Sequence, residues 1–164
     1  MKKHIKAALV ILSSCIVLFS CDPTTKDKME FYQQTKSIDL SSEMIDSISI
    51  HSDKDTILAT FGKPDNIEEI STPKSQYLSY DGFEFGLMES HVFRYYFNSN
   101  HQTTRKIKDG DTKEKVIEEY GRNYYEREES GLHMMGYFDK ENEMNIEFGF
   151  QGNRVTAVMV ESIG

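Results

Sequence analysis

The sequence contains an internal repeat, which restricts the possible folds more than any other feature of the chain. The first copy begins near Ile50 and the second near Asp109. At an offset of 59 residues, four pairs of positions coincide: Ile57/Val116, Leu58/Ile117, Phe61/Tyr120 and Gly62/Gly121. The sequence therefore predicts that one structural unit occurs twice.

Each copy opens with the pattern of a short amphipathic helix. Ser52 and Asp111 are residues that favour the N-cap, and an acid follows each of them three residues later, as in a capping box. Apolar residues at positions i, i+1 and i+4 form one buried stripe. Gly62 and Gly121 suit the positive-φ position that ends a helix. We therefore expect a short helix before each of these glycines.

The remainder of each copy has the alternation and turns of an antiparallel meander. The segment 83–87 matches 146–150 at an offset of 63 residues, and the strands that follow keep this offset. The predicted strands are 66–71, 76–80, 83–87 and 92–97 in the first copy, and 124–129, 132–139, 146–150 and 155–160 in the second. The predicted fold class is α+β, with two tandem helix-plus-antiparallel-meander repeats over 47–104 and 105–164.

The start of the chain has the layout of a secretory signal. A basic segment from Met1 to Lys6 precedes an apolar stretch that ends in Leu18-Phe19-Ser20-Cys21. Leu at −3, a small residue at −1 and Cys at +1 resemble the lipobox of bacterial lipoproteins. In that family the cysteine is acylated and becomes the new N-terminus. The resemblance implies a signal peptide over 1–20, lipidation at Cys21, and attachment to a plasma or outer membrane. The polar, Ser/Thr/Lys-rich composition of 21–46 predicts a tether, with a short helix near Lys28 to Thr35.

Two alternatives to this interpretation remain open. A second candidate lipobox ends at Cys15, but cleavage there would leave an apolar segment on the mature chain. An uncleaved anchor is disfavoured because the apolar stretch is shorter than the roughly 20 residues that span a bilayer. If Cys15 is removed and Cys21 is acylated, the folded part has no disulfide, no thiol nucleophile and no cysteine metal site.

The charge of the chain restricts its partners. The sequence has 19 basic and 27 acidic residues, and loss of Lys2, Lys3 and Lys6 with the leader would change the net charge from −8 to −11. Nucleic acids and anionic lipids favour basic surfaces. The sequence therefore predicts no nucleic-acid partner and permits a basic protein or a cation.

The start of the second copy also resembles a known group of lipoproteins. Ile107-Lys108-Asp109-Gly110-Asp111-Thr112, followed by Val116 and Tyr120-Gly121, is similar to the SmpA/OmlA (BamE-like) outer-membrane assembly lipoproteins and to the tandem-repeat β-lactamase inhibitor proteins. The resemblance implies a β-lactamase-inhibitor-like fold with helices on one face of the sheet and the other face open for a partner. It also implies an extracytoplasmic module that binds proteins and is not an enzyme.

Patterns typical of catalysis or of metal binding do not occur in the sequence. The histidines of the mature chain lack the i, i+4 spacing of a helical metal pair, and no nucleophile elbow or phosphate-binding loop is present. Acid pairs such as Glu68-Glu69 and Glu128-Glu129 fit solvated surface charge. We therefore predict no catalytic residue, no metal site and no cofactor.

The aromatic alternation in 92–97 suggests a partner surface. Phe93, Tyr95 and Phe97 share one side of this strand, which we assign to the core. Tyr, Arg and Met are enriched at protein interfaces. The predicted partner-binding residues are Arg94, Tyr96, Met88 and Met159, with Tyr124 and Tyr125 as further candidates. The alternative is that these side chains form a second buried layer between the repeats.

Three functional hypotheses follow. The first is a lipid-anchored, non-catalytic module that binds an envelope or secreted protein and inhibits, protects or helps to assemble it. The second is a structural lipoprotein that maintains the envelope. The third is a small-ligand carrier or an enzyme with a pocket between the repeats, which would collect several of His101, Arg105, Tyr124 and Glu128.

Overall fold

A computed structural model of the protein describes residues 28–164, which form one eight-stranded antiparallel sheet and three short helices. The helices are α1 (Lys28–Gln34), α2 (Lys54–Phe61) and α3 (Lys113–Tyr120). The strands are β1 (Asn66–Ser71), β2 (Lys74–Tyr80), β3 (Phe83–Met88), β4 (His91–Phe97), β5 (Tyr125–Glu129), β6 (Leu132–Asp139), β7 (Met144–Gln151) and β8 (Arg154–Ser162). Their order in the sheet is β1-β2-β3-β4-β8-β7-β6-β5, so β1 and β5 are the edge strands.

The predicted leader and the lipidation site at Cys21 lie outside the described residues. Within residues 28–164, no helix has both the length and the apolar character that crossing a membrane requires.

The positions of the individual elements agree closely with the sequence. The eight strands and helices α2 and α3 occur where the patterns predicted them, and Gly62 and Gly121 end the helices with φ values of 76° and 90°. The N-caps lie one residue later than predicted, at Asp53 and Thr112. The Asp53 carboxylate accepts a 2.7 Å hydrogen bond from the backbone N–H of Thr56, because this side chain rather than Ser52 reaches the first turn.

The predicted fold class is wrong. The chain does not form two helix-plus-meander repeats of the β-lactamase-inhibitor type, because the last strands of the two copies, β4 and β8, pair directly. Their register joins Arg94 to Glu161, Tyr96 to Met159 and Phe97 to Val158. The backbone ladder is therefore continuous across the described chain, and one hydrophobic core extends under all of it. We refer to this pairing as the β4–β8 junction.

The helices also do not share one face, which is a second departure from the prediction. Ile57 of α2 and Val116 and Tyr120 of α3 belong to the buried core on one side of the sheet, which we call the core face. Helix α1 lies on the opposite side, which we call the groove face, because Phe31 stacks on Tyr125 with ring centroids 5.1 Å apart.

The segment 28–46, assigned to the tether from its polar composition, lies against the sheet. Its Tyr32 ring contacts Phe138 edge-on at 5.3 Å. Leu40 and Ile45 are almost fully buried in the core. The backbone N–H of Leu40 donates a 2.8 Å hydrogen bond to the Asp139 carboxylate, so this segment is attached to β6 and its turn.

Each half of the sheet contains a β-bulge that inverts the predicted alternation. The register shifts between Gly86 and Leu87 opposite β4, and between Gly149 and Phe150 opposite β8. An extra residue in one strand turns the side chains beyond it to the other face. Val92 is consequently buried in the core, whereas Phe93, predicted to be core, lies against Tyr77 on the groove face.

Candidate functional site

A groove of about 600 Å³ lies on the groove face beside α1. It is lined by residues of β4, β5, β6, β7 and β8 together with Lys28 of α1. Apolar side chains alternate there with charged ones. The residues that line the groove include Lys28, Arg94, Tyr96, Arg127, Glu129, Leu132, Met134, Glu147, Ala157, Met159 and Glu161. We refer to this feature as the α1 groove.

Three of the predicted partner-binding residues line the α1 groove together. Tyr96 and Met159 are cross-strand partners at the β4–β8 junction, and Arg94 is on the same face two residues before Tyr96. The Arg94 guanidinium lies 4.9 Å from the centroid of the Tyr77 ring and 3.4 Å from a carboxylate oxygen of Glu84. The junction thus places side chains from both halves of the chain on one wall.

The other three predicted residues lie elsewhere. Met88 is 40% exposed and lines a separate depression at the end of β3. Tyr124 is half-buried and contacts Tyr137 on the core face. Tyr125 is buried between Phe31 and Phe138, so it supports α1 and is not available to a partner.

Ala157 on β8 is the smallest residue that lines the groove. It pairs in register with Gly149 on β7, which is buried. A Cβ added at Gly149 would lie 3.4 Å from the Met134 sulfur and 3.6 Å from a Leu132 methyl carbon, which are ordinary contact distances. The floor around Ala157 is therefore formed by flexible apolar side chains.

A buried carboxylate organises the end of the groove next to α1. Glu147 has a fully buried side chain, and the Arg127 guanidinium binds both of its oxygens at 2.6 and 2.8 Å. The Lys28 ammonium lies 3.0 Å from the same carboxylate and also bonds Glu161. The Tyr125 hydroxyl donates a fourth contact at 2.7 Å. Helix α1 is thus attached to the sheet by charge as well as by ring stacking.

Hydrogen bonds and nearby positive charges keep the Glu147 carboxylate ionised despite its burial. Burial alone would raise the pKa of Glu147, but the hydrogen bonds from Arg127 and the charge of Lys28 bring it below its ordinary value. Burial, together with the Glu147 charge, raises the pKa of Tyr125. Hydrogen bonds to Glu147 raise the pKa of Arg127. Glu147 is therefore a structural ion-pair partner and is not set up to accept a proton.

Sequence patterns did not indicate this cluster. Its signal was a single acid, Glu147, between the apolar residues Ile146 and Phe148. Because an ionised carboxylate buried on a strand must be paired, that position could have indicated a buried basic partner.

The pocket expected between the repeats does not form as predicted. His101 lines a depression of about 390 Å³, but the other three residues of that hypothesis lie elsewhere. Arg105 covers the Tyr120 ring at 4.6 Å, and Glu128 contacts His133 at 3.1 Å. Below Arg105, Tyr120 donates a 2.7 Å hydrogen bond to the buried Glu43, whose pKa is raised by burial.

No group of three or more His, Cys, Asp or Glu side chains within residues 28–164 is arranged to hold a metal ion. His133 contacts two carboxylates, but through opposite ring nitrogens: Nε2 lies 3.1 Å from Glu126 and Nδ1 lies 3.1 Å from Glu128. These three side chains therefore do not converge on one point.

Comparison with known proteins identifies the fold and no closer relationship. No protein-family model matches the chain, and no curated protein matches it. A crystal structure of an extracellular protein containing a SCP domain from Bacillus anthracis is similar, with a TM-score of 0.54 and 14% identity over 79% of this chain. A cysteine-rich secretory protein from Staphylococcus aureus has a TM-score of 0.47 and 10% identity over 69% of this chain.

The match covers 49% of the Bacillus anthracis chain and 44% of the Staphylococcus aureus chain, so this chain spans about half the length of these structures. The expected resemblance to the SmpA/OmlA (BamE-like) lipoproteins and the β-lactamase inhibitor proteins is wrong. The short motif around Asp109–Thr112 specifies a turn and a helix start, which many folds share. The fold itself is found in the extracellular Bacillus anthracis protein.

Proposed function

We propose that this protein is a lipid-anchored, extracytoplasmic, non-catalytic module that binds another protein through the α1 groove. The observation that carries the proposal is the grouping of Arg94, Tyr96 and Met159 on one wall of an apolar-floored groove. Such side chains are enriched at the energetic centres of protein interfaces. The extracellular location of the protein that shares the fold and the lipobox-like sequence both support an extracytoplasmic location.

The groove has the composition of a protein-binding site. The floor of the groove around Met134, Ala157 and Met159 is apolar, so its burial by a partner would be favourable. The charged side chains at the rim already have partners within the chain. Arg94 is paired with Glu84, and Arg127 with Glu147. A partner would therefore gain mainly by burying apolar surface, with the charges fixing its orientation.

The binding hypothesis predicts that the double variant Arg94→Ala/Tyr96→Ala loses at least about tenfold in affinity, because both hot-spot-type side chains leave the wall. The measurement is capture of a partner from detergent-solubilised envelope by the full chain, followed by titration of that partner. The control is Ile67→Ala/Arg122→Ala, which removes one exposed apolar and one exposed basic residue far from the groove. Equal affinity of the two double variants would show that the groove is not the site.

The anchoring hypothesis predicts that labelled fatty acid is incorporated into the wild-type chain and into Cys15→Ala, but not into Cys21→Ala. The thiol of Cys21 is the expected acceptor, and two or three acyl chains are needed for a stable anchor. Label retained in Cys21→Ala, or lost in Cys15→Ala, would contradict the assignment.

A further inference from the structure

We propose that the occupant of the α1 groove is an apolar side chain from a segment of a protein embedded in the same membrane, close to the bilayer surface. The inference rests on the proposed function, since it requires both the lipid anchor and the groove. It adds the location and the chemical class of the partner.

The short connection between Cys21 and α1 limits the distance between the groove and the membrane. Lys28, the first residue of α1, lines the groove, and Cys21 precedes it by seven residues. Seven residues span at most about 25 Å when fully extended. If Cys21 carries the lipid, the α1 end of the groove therefore stays within about 25 Å of the membrane surface.

Helix α1 is held on the sheet, so its residues do not add to the length of this connection. Phe31 and Tyr32 stack on rings of β5 and β6, and Lys28 binds the buried Glu147. Immediately after α1, the backbone N–H of Ile38 donates a 2.8 Å hydrogen bond to the carbonyl of Phe138. Release of α1 would break all of these contacts, so the reach is set by residues 21–28 alone.

The ion pairs within the groove indicate the chemistry of the occupant. The three groove cations each have a carboxylate: Lys28 has Glu161, Arg94 has Glu84, and Arg127 has Glu129 and Glu147. An anionic lipid headgroup would have to displace these pairs next to a chain of strongly negative net charge. The groove is thus matched to an uncharged, apolar insertion.

The floor supplies the place for that insertion. Ala157 has the smallest side chain of the groove lining, and Met134 and Met159 line the groove beside it with flexible thioethers that adapt to an inserted side chain. A partner in the same membrane also gains a high effective concentration, which adds to the affinity that the groove contacts supply.

The test uses the full chain in intact membranes, with a photo-crosslinking amino acid in place of Leu132, which lines the groove. We expect the crosslinked partner to resist alkaline carbonate extraction, as an integral membrane protein does, and we expect Ala157→Trp, which fills the floor, to reduce the crosslink at least about tenfold. A partner released by carbonate, a second copy of this chain, or no crosslink would each overturn the inference.

A spacer inserted between Cys21 and Lys28 tests the distance. A rigid helical spacer of about 30 residues lifts the domain by about 45 Å and should abolish the crosslink. A flexible Gly/Ser spacer of equal length should retain it, because it can fold back. A crosslink that survives the rigid spacer would overturn the membrane location.

The two proposals fail in different ways. If Ala157→Trp leaves binding in detergent unchanged, the groove is not the binding site and the proposed function fails. If Ala157→Trp abolishes binding in detergent but the rigid spacer leaves the crosslink in membranes intact, the groove is correct and only the membrane-embedded partner is wrong.

Discussion

Replacing Glu147 by alanine is expected to lower the free energy of unfolding by about 3–5 kcal/mol, the usual cost of removing one partner of a buried ion pair. The variant would leave Arg127 and Lys28 without their shared carboxylate, and Tyr125 without the acceptor of its 2.7 Å hydrogen bond. Denaturant unfolding of the chain that begins at Asp22 measures the loss. Because α1 depends on the same contacts, its docking should weaken together with the sheet.

Glu129→Ala is the matched control for this result. It removes another carboxylate from Arg127, but the Glu129 side chain is half exposed, so its ion pair is screened and should contribute less than about 1 kcal/mol. Similar losses for the two variants would show that burial of Glu147 is not the cause.

The same residue makes stability depend on pH. The folded-state pKa of Glu147 lies below its ordinary value, so the unfolded chain binds more protons in this range. The stabilisation is present above the ordinary pKa of about 4.5 and is lost as the pH falls through the lower folded-state value. Glu147→Gln should therefore show a shallower loss of stability on acidification than the wild type.

Replacing Gly136 by alanine is expected to cost about 2–4 kcal/mol, at or above the usual range for overpacking. The added Cβ would overlap the ring of Tyr125, which is the cross-strand partner of Gly136. This ring cannot move aside easily, because Phe31 and Phe138 stack on it and its hydroxyl binds Glu147. Thermal unfolding and near-ultraviolet circular dichroism of the tyrosines would report the displacement.

Gly149→Ala provides the control for Gly136→Ala, since its Cβ would meet its nearest neighbours at 3.4 to 3.6 Å without overlap. Its stability should stay within about 1 kcal/mol of the wild type, because alanine is favoured over glycine inside a strand by roughly 0.5–1 kcal/mol. A double-mutant cycle with Tyr125→Ala should show strong coupling to Gly136. Additive effects would mean that Gly136→Ala acts through the strand backbone and not through the ring.

The strands were predictable because each has period-two alternation and ends in a turn, two signals that neighbouring residues carry. The prediction that Phe93 belongs to the core was wrong because of the β-bulge in this part of the sheet. The extra residue of a bulge gives no local sequence signal, but it turns the side chains beyond it to the opposite face. The short helix near Lys28 to Thr35 was predicted, but its packing on the sheet was missed for a related reason. The contacts of Phe31 and Tyr32 depend on rings of β5 and β6, which are distant in sequence.

The individual residues of the groove wall were predictable from single strands, but their pairing was not, as for Met159 of β8 and Tyr96 of β4. Arg94 and Tyr96 share a face within β4, so alternation found them together. The Glu147 cluster joins Lys28, Arg127 and Glu147 from three separate elements. Their proximity follows from the pairing of β5, β6 and β7 and from the docking of α1, which sequence patterns do not specify. The β4–β8 junction that completes the groove wall is likewise a long-range pairing.

The two edge strands have a consequence for the proposed anchoring. Anchored molecules are crowded in two dimensions, where unpaired strand edges meet repeatedly and favour edge-to-edge polymerisation. Both edges here are acidic: β1 carries Glu68 and Glu69, and β5 carries Glu126, Glu128 and Glu129. Like charges on opposing edges repel, so edge-to-edge pairing of two copies is disfavoured.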